Sequence, residues 1–235
     1  MNLRAIIPNK LKLKFRLFKR YLSDRKINFA FTSNERIRFS NLISTVQEIK
    51  HGPFFDNKVH NIKTASHKVE TILIKPEEIF SFWKIVGSPS KKNNFRKGRN
   101  IIKGKVSEEI GGGLCQLSSI IYITALKANL KIEERHNHSI DIYKEAERFT
   151  PLGSDATVVH GYKDLRIKNS FDFPIRFSFS FIENQIICNL ESLEKIPENK
   201  LDFIRNYKAN LIEVSTTINS NHQCYSIYKT MVLKS

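Results

Sequence analysis

Along this chain apolar residues recur first at helical intervals and then, past the middle, at every second position. In residues 9–26, Leu11, Phe15, Phe18 and Leu22 fall on one helical face, which Leu13, Leu17 and Tyr21 widen. Lys10, Lys12, Lys14, Arg16, Lys19 and Arg20 occupy much of the remaining surface. Leu42, Ile43, Val46 and Ile49 predict a short helix, capped by Ser40 or Asn41 and ended by His51-Gly52-Pro53. Val59, Ile62, Ala65, Val69 and Ile72 predict a second over residues 57–73. Pro76-Glu77-Glu78 then leads into a short helical turn holding Ile79, Phe80, Phe82 and Trp83. Residues 86–104 read as a loop with a basic cluster: Lys91, Lys92, Arg96, Lys97 and Arg99. Leu117, Ile120, Ile121, Thr124, Ala125 and Ala128 predict a largely buried helix over residues 116–130, which lack glycine and proline.

Beyond that helix the period becomes two. Val158 and Val159, then Leu165 and Ile167, predict half-buried strands. Ile175, Phe177, Phe179 and Phe181 alternate with Arg176, Ser178 and Ser180, and a turn at Glu183-Asn184-Gln185 leads into a return strand over residues 186–190. The reading is α+β, with N-terminal helices and a central cysteine helix packed on a C-terminal antiparallel sheet. Residues 193–235 carry short mixed runs that predict no element.

Ahead of the buried helix stands Gly111-Gly112-Gly113-Leu114-Cys115-Gln116-Leu117-Ser118-Ser119. Three glycines let a backbone turn tightly and approach another group closely. Cys115 is thereby placed in the first helical turn, where free amides and the helix dipole favour a thiolate. The same amides, with the glycine loop or the Gln116 side chain, suit an oxyanion. The plainer alternative is a small apolar residue packed behind a turn.

Composition narrows the setting. The chain has 235 residues, 40% of them hydrophobic, enough for a proper core. A net charge of +16 implies affinity for anionic surfaces. Joined to residues 10–26, it points to peripheral contact with an anionic membrane, the alternative being a helix docked on the protein's own core. Nucleic acid is not expected as a partner, because no recognised binding pattern accompanies the charge. Cys115, Cys188 and Cys224 show neither a disulfide framework nor zinc spacing, which favours a reducing compartment. With no long apolar run and no signal-peptide pattern, the expectation is a cytoplasmic protein, peripheral at the inner membrane face.

Arg135-His136-Asn137-His138 follows the cysteine helix, Asp155 opens the sheet, and His160 and Asp164 come just after. A nucleophilic thiol needs a base, and the base an orienting carboxylate. Cys115 with His136 or His138 and Asp155 meets that requirement, and no cofactor is called for. Cys115, His136, His138 and Asp155 would equally suit a metal. Spacing alone leaves both open, beside surface histidines and an aspartate in a turn.

Gly111-Gly112-Gly113-Leu114-Cys115-Gln116-Leu117-Ser118, Glu134-Arg135-His136-Asn137-His138-Ser139, Gly153-Ser154-Asp155-Ala156-Thr157-Val158 and Asp164-Leu165-Arg166-Ile167-Lys168-Asn169 together resemble the VanW-like family. Pro76-Glu77-Glu78-Ile79-Phe80-Ser81-Phe82-Trp83 resembles its upstream segment, with Glu77 where a glycine is usual. The resemblance implies three parts: a basic segment at 1–36, a VanW-like domain at 37–192 and an extension at 193–235. It also implies cell-wall metabolism. Gly111, Gly112, Gly113, Cys115, Gln116, Arg135, His136, His138, Asp155 and Asp164 match the family's motifs, but the resemblance assigns them no roles. The expected partner is a peptidoglycan precursor or wall peptide, since vancomycin binds D-alanyl-D-alanine ends. The two functions to weigh are a cysteine hydrolase or transferase on an amide or ester of such a substrate, and a non-catalytic binding or accessory module for wall precursors or wall-synthesis proteins, linked to glycopeptide resistance.

Overall fold

The computed structural model describes residues 8–33, 35, 37–102, 105–141 and 148–230. The extreme N-terminus, the tip of the basic loop at residues 103–104 and the Arg99 side chain lie outside the described residues. Helix α1 (Asn9–Ser23) comes first and buries none of its side chains. Strand β1 (Asn41–Glu48) and helix α2 (Phe55–Glu70) follow. The chain then runs through β2 (Ile79–Ser81), α3 (Phe82–Val86), a 3-10 turn at Lys91–Asn93 and the hairpin β3 (Lys97–Ile102) with β4 (Lys105–Ile110). Helix α4 (Leu114–Lys127) is the cysteine helix. After it come β5 (Lys131–Glu134), β6 (Ile140–Asp141), β7 (Arg166–Lys168), β8 (Ile175–Ile182), β9 (Gln185–Ser192), β10 (Leu201–Lys208), β11 (Leu211–Ile218) and β12 (Asn221–Thr230).

The architecture is α+β. Antiparallel strands β1, β9 and β8 form one sheet in that order, and α2 and α4 pack on it. The expected hairpin of β8 and β9 pairs Ile182 with Gln185 next to the turn. One core joins Ile62, Ala65 and Val69 of α2, Leu117, Ile120 and Ile121 of α4, and Phe177, Cys188 and Leu190 of the sheet. Helix α4 is apolar nearly all round because it lies inside, with eleven consecutive buried residues from Gln116 to Leu126.

The segment expected as a helix near residue 42 is strand β1. Its buried positions alternate as Ile43, Thr45 and Gln47, while Leu42 and Val46 face outward. Two inward residues are polar, which disguised a period of two as helical spacing, and β-branched Ile43, Thr45 and Val46 favour the strand. The loop over residues 86–104 likewise contains the 3-10 turn and all of β3. Of the strands expected after α4, Ile167 falls in β7 with Leu165 just before it, whereas Val159 makes only an isolated bridge to Lys163.

Residues 201–230 form a β10-β11-β12 meander, and β12 pairs in parallel with β6 through Lys229↔Ile140 and Thr230↔Asp141. Its inner face has a small core of Ile212, Val214 and Tyr228 closed by Leu152. The loop at residues 151–155 is therefore held by the C-terminal strands, and this brings them to the candidate site.

Candidate functional site

The glycine turn enters α4 with Gly113 at φ 100°, a left-handed conformation that glycine adopts without a Cβ penalty. Cys115 follows in the first helical turn. Among the described residues, the amides of Gly112, Gly113 and Cys115 have no hydrogen-bond acceptor, as expected of a helix N-terminus. The next turn locks a second segment alongside. Ser118 Oγ donates to Ala156 O at 2.5 Å, and Ala156 N donates to Ser119 Oγ at 2.9 Å. The consecutive serines of the glycine–cysteine motif thus hold residues 155–158 against the cysteine. The Cys115 thiol donates to Val158 O at 3.7 Å.

A third segment arrives after β5. Thr157 N donates to His136 O at 2.7 Å, so residues 135–138 run beside 155–158. His138 is held at two points by Asp155 Oδ2: its backbone N donates at 2.7 Å, and its Nδ1 lies at 2.6 Å. Nδ1 engaged by the carboxylate leaves Nε2 for other partners. Burial opposes a charge on this ring, but the Asp155 hydrogen bond, then the hydrogen bond of the Cys115 side chain, outweigh it and raise His138 to about 10. His138 and Asp155 are thus in direct contact, and Cys115 meets the same 155–158 segment through the Val158 carbonyl.

Asp155 is more than an orienting group for one histidine. Arg135 places Nη2 3.2 Å from its Oδ1 and donates from Nε to the Asp155 carbonyl at 2.7 Å. The Tyr228 hydroxyl donates to Oδ1 as well. Burial works against the carboxylate, yet the His138 hydrogen bond and the charges of His138 and Arg135 prevail and lower Asp155 to about 2. Arg135 in turn donates to Gly153 O at 2.7 Å and to Ser226 Oγ at 2.5 Å. Its guanidinium also lies over the Tyr122 ring, 5.0 Å from the centroid.

His136 and Asp164 belong to a different cluster. His136 Nε2 lies 3.0 Å from Glu134 Oε1. Glu134 also takes two hydrogen bonds from Arg20, at 2.6 and 2.9 Å, and one from Asp164 N at 2.9 Å. Burial opposes its charge, but these donors win and lower it to about 2. Asp164 accepts from Ser81 Oγ at 2.5 Å, from Trp83 N at 3.0 Å and from Arg166 Nε at 3.1 Å, which ties β7 to the start of α3. His160 packs edge-on to Trp83, and burial lowers its pKa. With His136 turned to Glu134, the four-residue metal set is not assembled, and no three metal-ligating side chains group among the described residues. Gln116 directs its Nε2 to Glu48 O at 2.8 Å and so pins the end of β1.

Sequence reasoning missed Tyr228, Ser226, Ser118, Ser119 and the Val158 carbonyl as parts of this arrangement. The two serines stood inside the glycine–cysteine motif and were the available signal. In β12 the signal misleads, because Tyr225 and Ile227 are exposed while Ser226 and Tyr228 turn inward. Two clefts of about 290 and 600 Å³ flank Phe31, and neither is lined by Cys115, His138 or Asp155.

The motifs that build this cluster also place the chain among known proteins. The family profile described as "VanW like protein" matches residues 57–191, more than half of the sequence. The chain belongs to the VanW-like family. It is 30% identical over 156 residues to "Vancomycin B-type resistance protein VanW" of Enterococcus faecalis, a match covering 64% of this chain and 57% of that protein. It is also 30% identical over 167 residues to "Uncharacterized protein YoaR" of Bacillus subtilis, covering 66% of this chain and 54% of that protein. The matched stretch thus spans little more than half the length of either relative. No solved structure matches the chain.

Proposed function

We propose that this chain is a cysteine-dependent hydrolase or acyl transferase acting on an amide or ester of peptidoglycan or its precursors. The observation that carries the reading is His138, engaged through Nδ1 by a buried carboxylate, beside a segment whose Val158 carbonyl accepts from the Cys115 thiol. A thiol at a helix N-terminus beside an oriented imidazole is the arrangement nucleophilic catalysis requires.

The Cys115 sulfur, as a thiolate paired with the His138 imidazolium, adds to the carbonyl carbon. The carbonyl electron pair moves to oxygen, where the amides of Gly112, Gly113 and Cys115 are the available donors. The C–N or C–O bond then breaks, and the leaving group takes the imidazolium proton. Forming the thioester removes the negative sulfur that had favoured the charged ring, which eases that transfer. Water or an acceptor amine next attacks the thioester, His138 accepts its proton, and the C–S bond breaks to restore the thiolate–imidazolium pair. The wall substrate rests on family membership and on the name of the Enterococcus relative.

The test is a burst experiment with 4-nitrophenyl acetate followed by peptide mapping. An acetyl group on Cys115, absent in Cys115→Ser and strongly reduced in His138→Ala, would justify assays on D-alanyl-D-alanine-ended wall peptides. An unmodified Cys115, or acetylation indifferent to His138, would leave the non-catalytic binding module as the better reading.

A further inference from the structure

Helix α1 sits on the protein by its less apolar side. Leu13 and Leu17 lie over Gly161, with Leu13 Cδ1 2.5 Å from where a Cβ would stand on that residue. Arg20 reaches Glu134 and donates to Tyr162 O at 2.9 Å, and Arg16 lies over the Tyr162 ring. These four side chains define the docked face.

The larger apolar face points outward. At 3.6 residues per turn, Leu11, Phe15, Phe18 and Leu22 fall within about 60° of one another, on roughly the opposite side from Leu13 and Arg20. They are 57, 66, 57 and 45% exposed, values that a helix packed by its apolar stripe would not give. Lys14 flanks this stripe on one side and Lys12 and Lys19 on the other, and α1 contains no acidic residue. An apolar ridge bordered by ammonium groups is complementary to a surface with an apolar interior and an anionic rim.

We infer that the outward face of α1 docks this protein onto an anionic lipid bilayer. Phe15 and Phe18 enter the acyl boundary, the flanking lysines meet lipid phosphates, and Arg20 fixes the helix to the body through Glu134. Its footing at Gly161 and Tyr162 is close in sequence to Val158, whose carbonyl meets the Cys115 thiol, so docking brings that rim of the molecule toward the membrane. The inference is independent of the chemistry at Cys115.

The experiment is sedimentation of the full chain with vesicles of phosphatidylglycerol and phosphatidylcholine, and with phosphatidylcholine alone. Binding is expected only to the anionic vesicles. The exposed pair Phe15→Glu and Phe18→Glu should weaken it by at least about tenfold, with an unchanged circular dichroism spectrum. Tyr225→Glu and Ile227→Glu, on the exposed face of β12, should leave it intact. In a separate variant, Phe15→Trp should be quenched by brominated acyl chains beyond the quenching of the parent chain. Absence of binding overturns the inference. So does binding that survives the Phe15 and Phe18 changes, which would be adsorption by net charge alone. Concentration-dependent dimers removed by the same two changes, without lipid binding, would assign the face to a second copy and overturn it too.

Discussion

The hydroxyl of Tyr228 donates to the carboxylate of Asp155, 73 residues earlier in the chain, and it also accepts from Gly153 N at 3.1 Å. One phenol from the C-terminal sheet thus braces both the loop and the side chain that orient His138. Tyr228→Phe keeps the packing against Ile212 and Val214 but removes a hydrogen bond to a buried charge. The expected loss is about 1.5–3 kcal/mol of stability, read by urea denaturation. Cys115 alkylation should slow as well, while that of Cys224 stays near the parental rate.

Asp155→Asn retains the size of the side chain and removes its charge. The His138 imidazolium then loses its main support, and its pKa should fall from about 10 toward the ordinary 6.5. Nuclear magnetic resonance of the ring protons would follow this directly. An unchanged titration would mean that Asp155 does not govern His138.

The same pair sets a stability window. The raised His138 contributes fully below its unfolded value near 6.5, and its contribution is lost as pH rises through about 10. The lowered Asp155 contributes above its unfolded value near 3.8 and loses that as pH falls through about 2. Stability from this pair should therefore be flat from about pH 4 to 6.5 and decline on both sides. In His138→Ala the alkaline decline should shrink, which thermal unfolding against pH would detect.

Gly153 has φ 100°, and a Cβ there would stand 2.5 Å from Val214 Cγ1. Gly153→Ala combines backbone strain with overpacking at the junction of the loop and the C-terminal sheet. A cost of about 2–4 kcal/mol is expected, with reduced Cys115 reactivity because the loop carries Asp155. Gly52→Ala, where nothing lies within 4 Å, should be close to neutral.

Arg166 bridges Asp24, at 2.8 and 2.9 Å, and Asp164, at 3.1 Å, in a nearly dry setting. Removing it leaves carboxylates without their main counter-charge. Arg166→Ala should cost about 3–5 kcal/mol, and Arg166→Lys should recover only part of this because an ammonium cannot reproduce the forked contact to Asp24. Denaturant titration of the two variants distinguishes a forked contact from a simple point charge.

The sequence by itself determined the α+β class, the buried cysteine helix behind its glycine turn and the β8–β9 hairpin. These follow from local periodicity and backbone freedom, which neighbouring residues express without distant partners. It also named Cys115, His136 or His138, and Asp155 as candidates, because few residue types can supply a nucleophile, a base and an orienting acid. What it left open was pairing across distance. His136 and His138 are two residues apart and chemically identical, and only the tertiary structure sends one to Glu134 and the other to Asp155. Strand β1 was misread because inward Thr45 and Gln47 are polar, and β12 was illegible because inward Ser226 serves Arg135 while Tyr225 and Ile227 face out. The outward turn of α1 was equally hidden. An amphipathic pattern states that one face is apolar, whereas the side chains it meets decide which face rests on the protein.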